Sequence, residues 1–250
     1  MSYVSLLRSE DLRIHSRVYK HWAPLEPEPA PDHERDRRRT VEVVFTETKL
    51  HYPMGRQREL LSYWIGSSWL RLFGWKVHGE ASTYKKFVLI AAPHTSNWDF
   101  PFMLATAYAM GVRITWFGKH TLFISPWGWF MRKLGGIPVD RRAPQSLVTQ
   151  MAEKFQIRDE LVLAVPPEGT RSKVNFWKSG FYHIASESGV PIGLGYLDYD
   201  KKLCGLGMFV IPSGNVNDDM DKIRNFYRNI RGKYPQLESE PRLQEETTPV

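Results

Sequence analysis

The sequence predicts an α/β fold, a single domain built on one mixed, largely parallel sheet flanked by helices. Three observations predict it. Apolar runs of strand length alternate with helical patterns, 250 residues suffice for one large domain, and no stretch approaches the ~18 consecutive apolar residues of a membrane-spanning helix. Such alternation is typical of sheets with a parallel portion.

The predicted elements occupy the middle of the chain. Strands are predicted where apolar runs are bounded by turn residues, at Phe87–Ala92, Arg113–Gly118, Glu160–Val165, Pro191–Leu197 and Cys204–Pro212. Helices are predicted where apolar residues recur at helical spacing, at about residues 57–74, 98–110, 144–157, 176–188 and 218–233. No internal repeat is present, so we expect one domain rather than an array.

The two ends of the chain differ in composition from the middle. Residues 1–40 combine prolines at positions 24, 27, 29 and 31 with the charge run Asp32–Arg39, a composition that buries little apolar surface. We expect a flexible arm over residues 1–40 and, from a similar polar character, a flexible tail over residues 237–250. The folded domain is expected to span residues 41–236.

Charge and cysteine content narrow the functional classes. The formal net charge is +7, but 27 acidic residues are mixed among 34 basic ones, unlike the basic block of a nucleic-acid-binding protein. An anionic substrate and a membrane surface suit this excess equally well. The single Cys204 excludes an intrachain disulfide, and the start of the chain lacks the apolar core of a signal peptide. We therefore expect a cytoplasmic protein that binds no nucleic acid.

Two segments are unusually rich in aromatic residues. Leu60–Trp75 is apolar around most of its helical wheel but short and interrupted by Arg71, as in helices that lie in a membrane interface. Leu122–Lys133 carries Trp127 and Trp129 shortly before two cations, which is another interfacial pattern. Both segments are also explained as covers packed on the sheet, so core packing and membrane contact stay open.

An imidazole and a carboxylate follow the Phe87–Ala92 strand, at His94 and Asp99. In a continuous helix their side chains would lie roughly 140° apart, because each residue turns about 100°. If Ser96 is instead the N-cap, Asp99 falls in the first turn and can reach back to His94, so that the pair forms a general base and its orienting group. The same spacing also fits a capping box that needs no catalysis.

Cationic residues further along suit a phosphate. The segment 135–142 turns at two glycines and presents Arg141 and Arg142, whose guanidiniums can grip a phosphate bidentately. Lys119, at the end of a predicted strand, can add a point charge to the same site. Taken singly, each of these cations is also explained as a solvated surface residue.

The segment Pro166–Ser172 follows another predicted strand, and ligands of open α/β sheets gather at such carboxyl ends. Glu168 can accept hydrogen bonds from a polyol there, and Arg171 can bind a second edge of the phosphate. The alternative is an ordinary Pro/Gly loop whose charges face water.

With these segments in this order, the chain resembles the lysophospholipid acyltransferase superfamily, over about residues 86–200. The motifs that carry the resemblance are His94–Asp99 as His-x4-Asp, Gly136–Arg141 as the segment ending in Asp-Arg, Pro167–Ser172 as Pro-Glu-Gly-Thr-Arg-Ser, and Val190–Ile192. His-x4-Asp alone is weak, whereas Pro-Glu-Gly-Thr-Arg-Ser at this distance behind it is highly specific. The combination overrides the interpretation of the first motif as a helix cap alone.

The resemblance implies a glycerol-3-phosphate-acyltransferase-like domain. It would transfer a fatty acyl group from acyl-CoA or acyl carrier protein to a hydroxyl of a lysophospholipid or glycerol phosphate, with no further cofactor. His94 would be the general base and Asp99 would fix its tautomer. The implied substrate-binding residues are Lys119, Arg141, Arg142, Glu168, Gly169, Thr170 and Arg171. The aromatic helix near residues 57–75 would be a peripheral anchor on the inner face of the membrane.

Two other functions compete with this one. A CoA-independent transacylase would move acyl chains between phospholipids, and a non-catalytic lipid-binding module would keep the fold without activity. Metal catalysis is disfavoured because the sequence lacks His-Glu-x-x-His and paired cysteines, and a serine hydrolase because it lacks Gly-x-Ser-x-Gly. Donor, acceptor head group and chain length leave no motif.

Overall fold

Seven strands form one sheet in the part of the chain that the structure describes. This structure is a computed structural model, and it describes residues 57–79, 82–124, 126–139 and 144–247. The strands are β1 (Lys76–His78), β2 (Lys86–Ala92), β3 (Ile114–Lys119), β4 (Gly136–Val139), β5 (Leu161–Val165), β6 (Ile192–Asp198) and β7 (Leu203–Val210). Their spatial order is β1-β7-β6-β2-β5-β3-β4, and only the β6–β7 pair is antiparallel. The predicted mixed, largely parallel sheet is confirmed.

Helices connect most of these strands. Within the described residues the α-helices are α1 (Gln57–Leu72), α2 (Asp99–Ala109), α3 (Gly128–Lys133), α4 (Pro144–Ile157), α5 (Gly180–Ser188) and α6 (Val216–Tyr227). All except α3 were predicted. A helix of six residues is too short to show the periodic apolar pattern on which a sequence-based prediction depends.

Two short strands were also not predicted. β1 has three residues, and β4 contains Pro138, which ordinarily argues against a strand. β4 is the last strand in the sheet order, paired only with β3. Such an edge tolerates a proline because one side of the strand needs no ladder hydrogen bonds.

The core lies on both faces of the sheet. Along β2, Val88 and Ile90 belong to a buried cluster with residues of α4, α5 and α6, whereas Phe87 and Leu89 belong to a cluster with residues of α2. Alternation of this kind follows from the two-residue period of a strand. Because both faces are covered, the central strands are apolar throughout, as is typical of parallel sheets.

The carboxyl-terminal segment differs from its prediction. A flexible tail was expected over residues 237–250, yet residues 237–247 pack against the domain. Leu243 is fully buried and bridges to Trp177, and Glu246 forms a 2.9 Å ion pair with Arg224. An apolar anchor and several polar contacts, of which this ion pair is one, therefore hold a segment whose composition is mostly polar. The predicted arm, residues 1–40, lies outside the described residues.

Candidate active site

Two loops meet at one edge of the sheet. β2 and β5 are parallel neighbours, with Ile90 opposite Val165, so the loops that follow them leave at the same edge. The loop after β2 carries His94, and the loop after β5 carries Glu168. The sheet topology thus joins two motifs that are 74 positions apart in sequence.

The His94 ring and the Asp99 carboxylate are in contact, as the sequence predicted. His94 Nδ1 lies 3.0 Å from Asp99 Oδ2, and the residue Asp99 is only 5% exposed. The same oxygen accepts hydrogen bonds from the main-chain N–H groups of Thr95 and Ser96, at 2.9 and 2.8 Å. Since two main-chain N–H groups already donate to this oxygen, it acts as an acceptor, and we assign the ring proton of His94 to Nδ1. The Nε2 atom is left with a lone pair, as a general base requires.

The start of α2 differs in detail from the predicted cap. Trp98, not Ser96, is the N-cap residue, and Asp99 is the first helical residue. The Ser96 hydroxyl accepts a hydrogen bond from the Trp98 N–H at 3.2 Å rather than from the N–H of residue 99. The half of the capping box in which the carboxylate reaches back to Ser96 is present, and that half leaves Asp99 beside the imidazole.

Glu168 holds the same loop from the other side. Its Oε1 atom accepts a hydrogen bond from the His94 main-chain N–H at 2.9 Å, and the residue is only 3% exposed. Its Oε2 atom is buried and has no hydrogen-bond partner among the described residues. Burial, partly opposed by the His94 N–H, raises the pKa of Glu168 to about 7.

The position of Glu168 adds a contact that the sequence did not predict, and its substrate-binding role stays a prediction. Glu168 was expected to bind a polyol hydroxyl of the substrate, but it does not line the cavity described below. It positions the main chain of His94. Three successive N–H groups, of His94, Thr95 and Ser96, are therefore occupied by carboxylates, so donors for an oxyanion must come from elsewhere.

A glycine separates the buried and exposed parts of the second loop. Gly169 has a φ of +66°, and its N–H donates to the Pro166 carbonyl at 3.1 Å. A side chain is strained in this left-handed region, so glycine suits the position. The turn buries Glu168 and leaves Gly169, Thr170 and Arg171 exposed, and all three of these line the cavity, as expected of substrate-binding residues.

A cavity of about 460 Å³ opens beside His94 and extends between α2 and the sheet. Apart from its rim, the lining is mostly apolar. Its apolar residues include Phe87, Leu89, Met103, Met110, Ile114 and Leu206. The cavity therefore joins a polar mouth, where a base is available, to an interior that suits a hydrocarbon chain.

The rim of the cavity carries cations. Lys119 ends β3, Arg171 lies on the second loop, and both are exposed and line the cavity. The structure thus brings together two of the four cations expected to bind a phosphate. Arg141 and Arg142 lie outside the described residues, and their roles stay sequence-based predictions.

One contact in the site had no signal in the sequence. The hydroxyl group of Tyr199 donates a hydrogen bond to Asp99 Oδ1 at 2.7 Å, from a position 100 residues away. Tyr199 directly follows β6, whose last residue is Asp198. No motif or spacing links the two positions, and only the fold places them together.

The aromatic segments divide between core and surface. Trp75 and Leu70 are buried against α2, whereas Leu61, Trp64 and Ile65 of α1 are more than half exposed. In the second segment Phe123 is buried, and the side chains of Ile124, Trp127, Trp129 and Phe130 are exposed to 68%, 69%, 64% and 43%. No helix of the described residues is long and apolar enough to span a bilayer.

Comparison with known proteins gives two findings. Residues 74–193 match the sequence profile of the Acyltransferase family. The crystal structure of the 1-acyl-sn-glycerophosphate (LPA) acyltransferase PlsC from Thermotoga maritima is similar over 68% of this chain and 79% of that one, at 21% identity and a TM-score of 0.45. Comparison with the curated proteins finds no match.

Proposed function

Because residues 74–193 match the sequence profile of the Acyltransferase family, we propose that this protein transfers a fatty acyl group from a thioester to a hydroxyl of a lysophospholipid or glycerol phosphate. The donor would be acyl-CoA or acyl carrier protein. The observation that carries the proposal is the hydrogen-bonded His94–Asp99 pair at the cationic mouth of a mostly apolar cavity. That arrangement combines a base, a chain-sized apolar space and a place for a phosphate.

In the proposed reaction His94 acts through Nε2. It removes the proton from the acceptor hydroxyl as that oxygen attacks the thioester carbonyl carbon, and Asp99 stabilises the imidazolium that forms. The C–S bond of the tetrahedral intermediate then breaks, and the imidazolium returns its proton to the departing thiolate. The products are an oxygen ester and a free thiol, and no covalent acyl-enzyme is required.

The fatty acyl chain would occupy the cavity behind His94. Met103 of α2 and Met110, which directly follows that helix, line this space together with Leu89 and Leu206 of the sheet, and such side chains accept a hydrocarbon without polar cost. Placing the chain there leaves the thioester at the cavity mouth, within reach of the imidazole.

The acceptor phosphate would bind at the rim. Arg171 can offer a planar pair of N–H donors, and Lys119 adds a second positive charge. Arg171→Ala should raise the acceptor KM by about 10-fold or more, with little change in the donor KM. Arg158→Ala is a matched control, since Arg158 is exposed and does not line the cavity. An unchanged acceptor KM in Arg171→Ala would contradict this role.

We also propose that the protein binds a membrane surface through an aromatic patch, defined here as Ile124, Trp127, Trp129 and Phe130. These side chains are exposed, and Lys133 lies with its Nζ atom 4.0 Å above the Trp129 ring. Apolar and aromatic side chains next to cations suit the headgroup region of an anionic bilayer. The patch adjoins Leu122, which lines the cavity, so lipid substrates would enter directly.

Vesicle sedimentation tests the patch. The double variant Trp127→Ser/Trp129→Ser should lower partitioning onto phosphatidylglycerol vesicles by about 10-fold. It lacks the two indole rings whose transfer from water into the bilayer would favour binding. Ile157→Ser removes an isolated exposed apolar side chain on α4 and should leave partitioning unchanged. Equal partitioning of all three proteins would exclude the patch. The assignment to the inner face of the membrane stays a prediction.

The direct test of the proposed function is a donor-by-acceptor matrix with the purified protein. Acyl-CoA and acyl carrier protein donors are combined with glycerol phosphate and lysophospholipids, with thiol release and lipid mass spectrometry as the two readouts. Acceptor-dependent thiol release with formation of the acylated lipid is expected. Acyl exchange between phospholipids without thiol release would indicate a transacylase, and vesicle binding without any transfer would indicate a non-catalytic module.

A further inference from the structure

The two carboxylate oxygens of Asp99 are held differently. Oδ2 accepts three hydrogen bonds, all from the loop that contains His94, whereas Oδ1 accepts the Tyr199 hydroxyl at 2.7 Å. Among the described residues, Tyr199 is the one hydrogen-bond donor found for Oδ1. A buried carboxylate oxygen without a donor is costly, so this contact bears on the orientation of the whole group.

The Tyr199 side chain is itself held in place. Its ring packs edge-on against Trp75 at 4.9 Å between centroids and against Phe102 at 6.1 Å, and its main-chain N–H donates to the Arg231 carbonyl at 2.8 Å. Burial and the adjacent Asp99 charge raise the pKa of the Tyr199 hydroxyl above its usual value. The hydroxyl therefore remains a donor wherever the carboxylate is ionised.

Tyr199 does not touch the substrate space. It is absent from the lining of the cavity, and it lies beyond residue 193, where the match to the family profile ends. Any effect of its hydroxyl on the reaction must pass through Asp99 to the imidazole. This arrangement is that of a residue that orients the partner of a base.

We propose that Tyr199 is a positioning residue for acyl transfer, whose hydroxyl fixes the Asp99 carboxylate so that Oδ2 faces His94 Nδ1. The inference rests on the proposed function. Without the hydroxyl, the carboxylate keeps its main-chain partners on Oδ2, but Oδ1 is no longer held and the carboxylate plane can tilt about the Oδ2 contacts. The imidazole then loses part of its orientation, while the cavity and the cationic rim are unchanged.

A second tyrosine–aspartate pair supplies a matched control. Tyr182 donates to Asp219 Oδ2 at 3.0 Å in a buried contact between α5 and α6, and neither residue lines the cavity. Tyr182→Phe removes the same chemical group from the same kind of contact. It should affect stability alone, whereas Tyr199→Phe should also affect turnover.

Kinetics of the two variants test the proposal. Tyr199→Phe should lower kcat by roughly 10-fold, the loss of one charge-assisted hydrogen bond, with both KM values unchanged. Tyr182→Phe should leave kcat unchanged. In an Asp99→Asn background, Tyr199→Phe should cause no further loss, because the two residues act in series. Additive losses, or a raised KM at unchanged kcat, would overturn the proposal.

An NMR measurement gives a readout that needs no substrate. The Nδ1–H proton of His94, hydrogen-bonded to Asp99, should give a low-field resonance that shifts or disappears in Tyr199→Phe and stays in place in Tyr182→Phe. If Tyr199→Phe does not fold, 3-fluorotyrosine at position 199 keeps the ring and the hydroxyl, replaces one ring hydrogen by fluorine and makes the hydroxyl more acidic, and it should also shift the resonance. An unmoved resonance would overturn the positioning role, whereas a moved resonance without acyl transfer on any substrate would refute only the proposed function.

Discussion

Asp99 and Asp219 are two buried carboxylates in the first turns of α2 and α6, and each accepts a hydrogen bond from a tyrosine hydroxyl. Their remaining partners differ. Asp219 accepts from the Lys222 ammonium at 3.0 Å and the Ser213 N–H at 2.7 Å, whereas Asp99 accepts from an imidazole that lines a cavity.

The comparison shows that the hydrogen-bond partners of a buried aspartate decide what its carboxylate can do. At Asp219 burial raises the pKa, but the Ser213 N–H and Lys222 outweigh it, so the pKa lies below its usual value and the charge is neutralised within the fold. At Asp99 the partner is a titratable ring with a second nitrogen at the cavity. The same kind of buried carboxylate therefore stabilises a helix end at Asp219, whereas at Asp99 it holds an imidazole in the arrangement that the proposed proton transfer requires.

The largest expected difference between the two sites is in catalysis. Asp99→Asn should lower kcat by about 10² to 10⁴-fold, because both carboxylate oxygens face donors and the amide must present an N–H to one of them. The imidazole then loses the acceptor that sets its tautomer. Steady-state kinetics with circular dichroism as a check on folding measures the effect. A folded Asp99→Asn protein with the wild-type kcat would show that Asp99, like Asp219, has a structural role alone.

Glu168, the other carboxylate of the site, should give a pH effect of opposite sign to that of Asp219. Its pKa is raised from 4.5 to about 7 by burial, so the native state holds its proton where the unfolded state has lost it. Stability from this group is fully present below pH 4.5 and is lost as the pH rises to 7, by about 3 kcal/mol.

Urea unfolding as a function of pH measures this effect. Glu168→Gln keeps an acceptor for the His94 N–H but cannot ionise, so its free energy of unfolding should lack the loss seen in the wild-type protein. Glu160→Gln, at an exposed position, is the control. Parallel pH curves for the wild-type protein and Glu168→Gln would contradict the raised pKa.

The smallest of these effects is expected at Asp219. Asp219→Asn should reduce the free energy of unfolding by about 2 kcal/mol, since hydrogen bonds from Lys222 and Tyr182 lose a charged acceptor. The kcat value should be unchanged, because the contact is remote from the cavity. Urea unfolding and steady-state kinetics on the same preparation separate the two quantities. A fall in kcat without a fall in stability would run against the structural role.

Whether the sequence could predict a contact of the site depends on how far apart the two residues lie in the sequence. The His94–Asp99 pair is separated by five positions on a turn after an apolar strand, so local rules sufficed to find it. The contact of Glu168 with the His94 main chain was not predicted, because a glutamate in a Pro/Gly loop is ordinarily solvated. Its burial depends on the pairing of β2 with β5, which no local pattern encodes.

The same reasoning applies to the fold. The central strands were predicted because they are long, apolar and covered on both faces, whereas β1 and β4 lie at the two edges of the sheet and are short. Tyr199 lies in a polar turn after β6, where its sequence neighbours give no sign of a partner 100 residues away. Contacts between residues that are far apart in the chain cannot be predicted from a single sequence.

The most direct measurement compares His94→Ala with His183→Ala in acceptor-dependent thiol release from acyl-CoA or acyl carrier protein. His183 lies on α5 with an exposed side chain paired to Glu245, outside the cavity lining, so its loss controls for removal of an imidazole. His94→Ala should be at least about 100-fold slower than the wild-type protein, and His183→Ala should stay within about two-fold of it. A folded His94→Ala protein that releases thiol at the wild-type rate would contradict the assignment of His94 as the base.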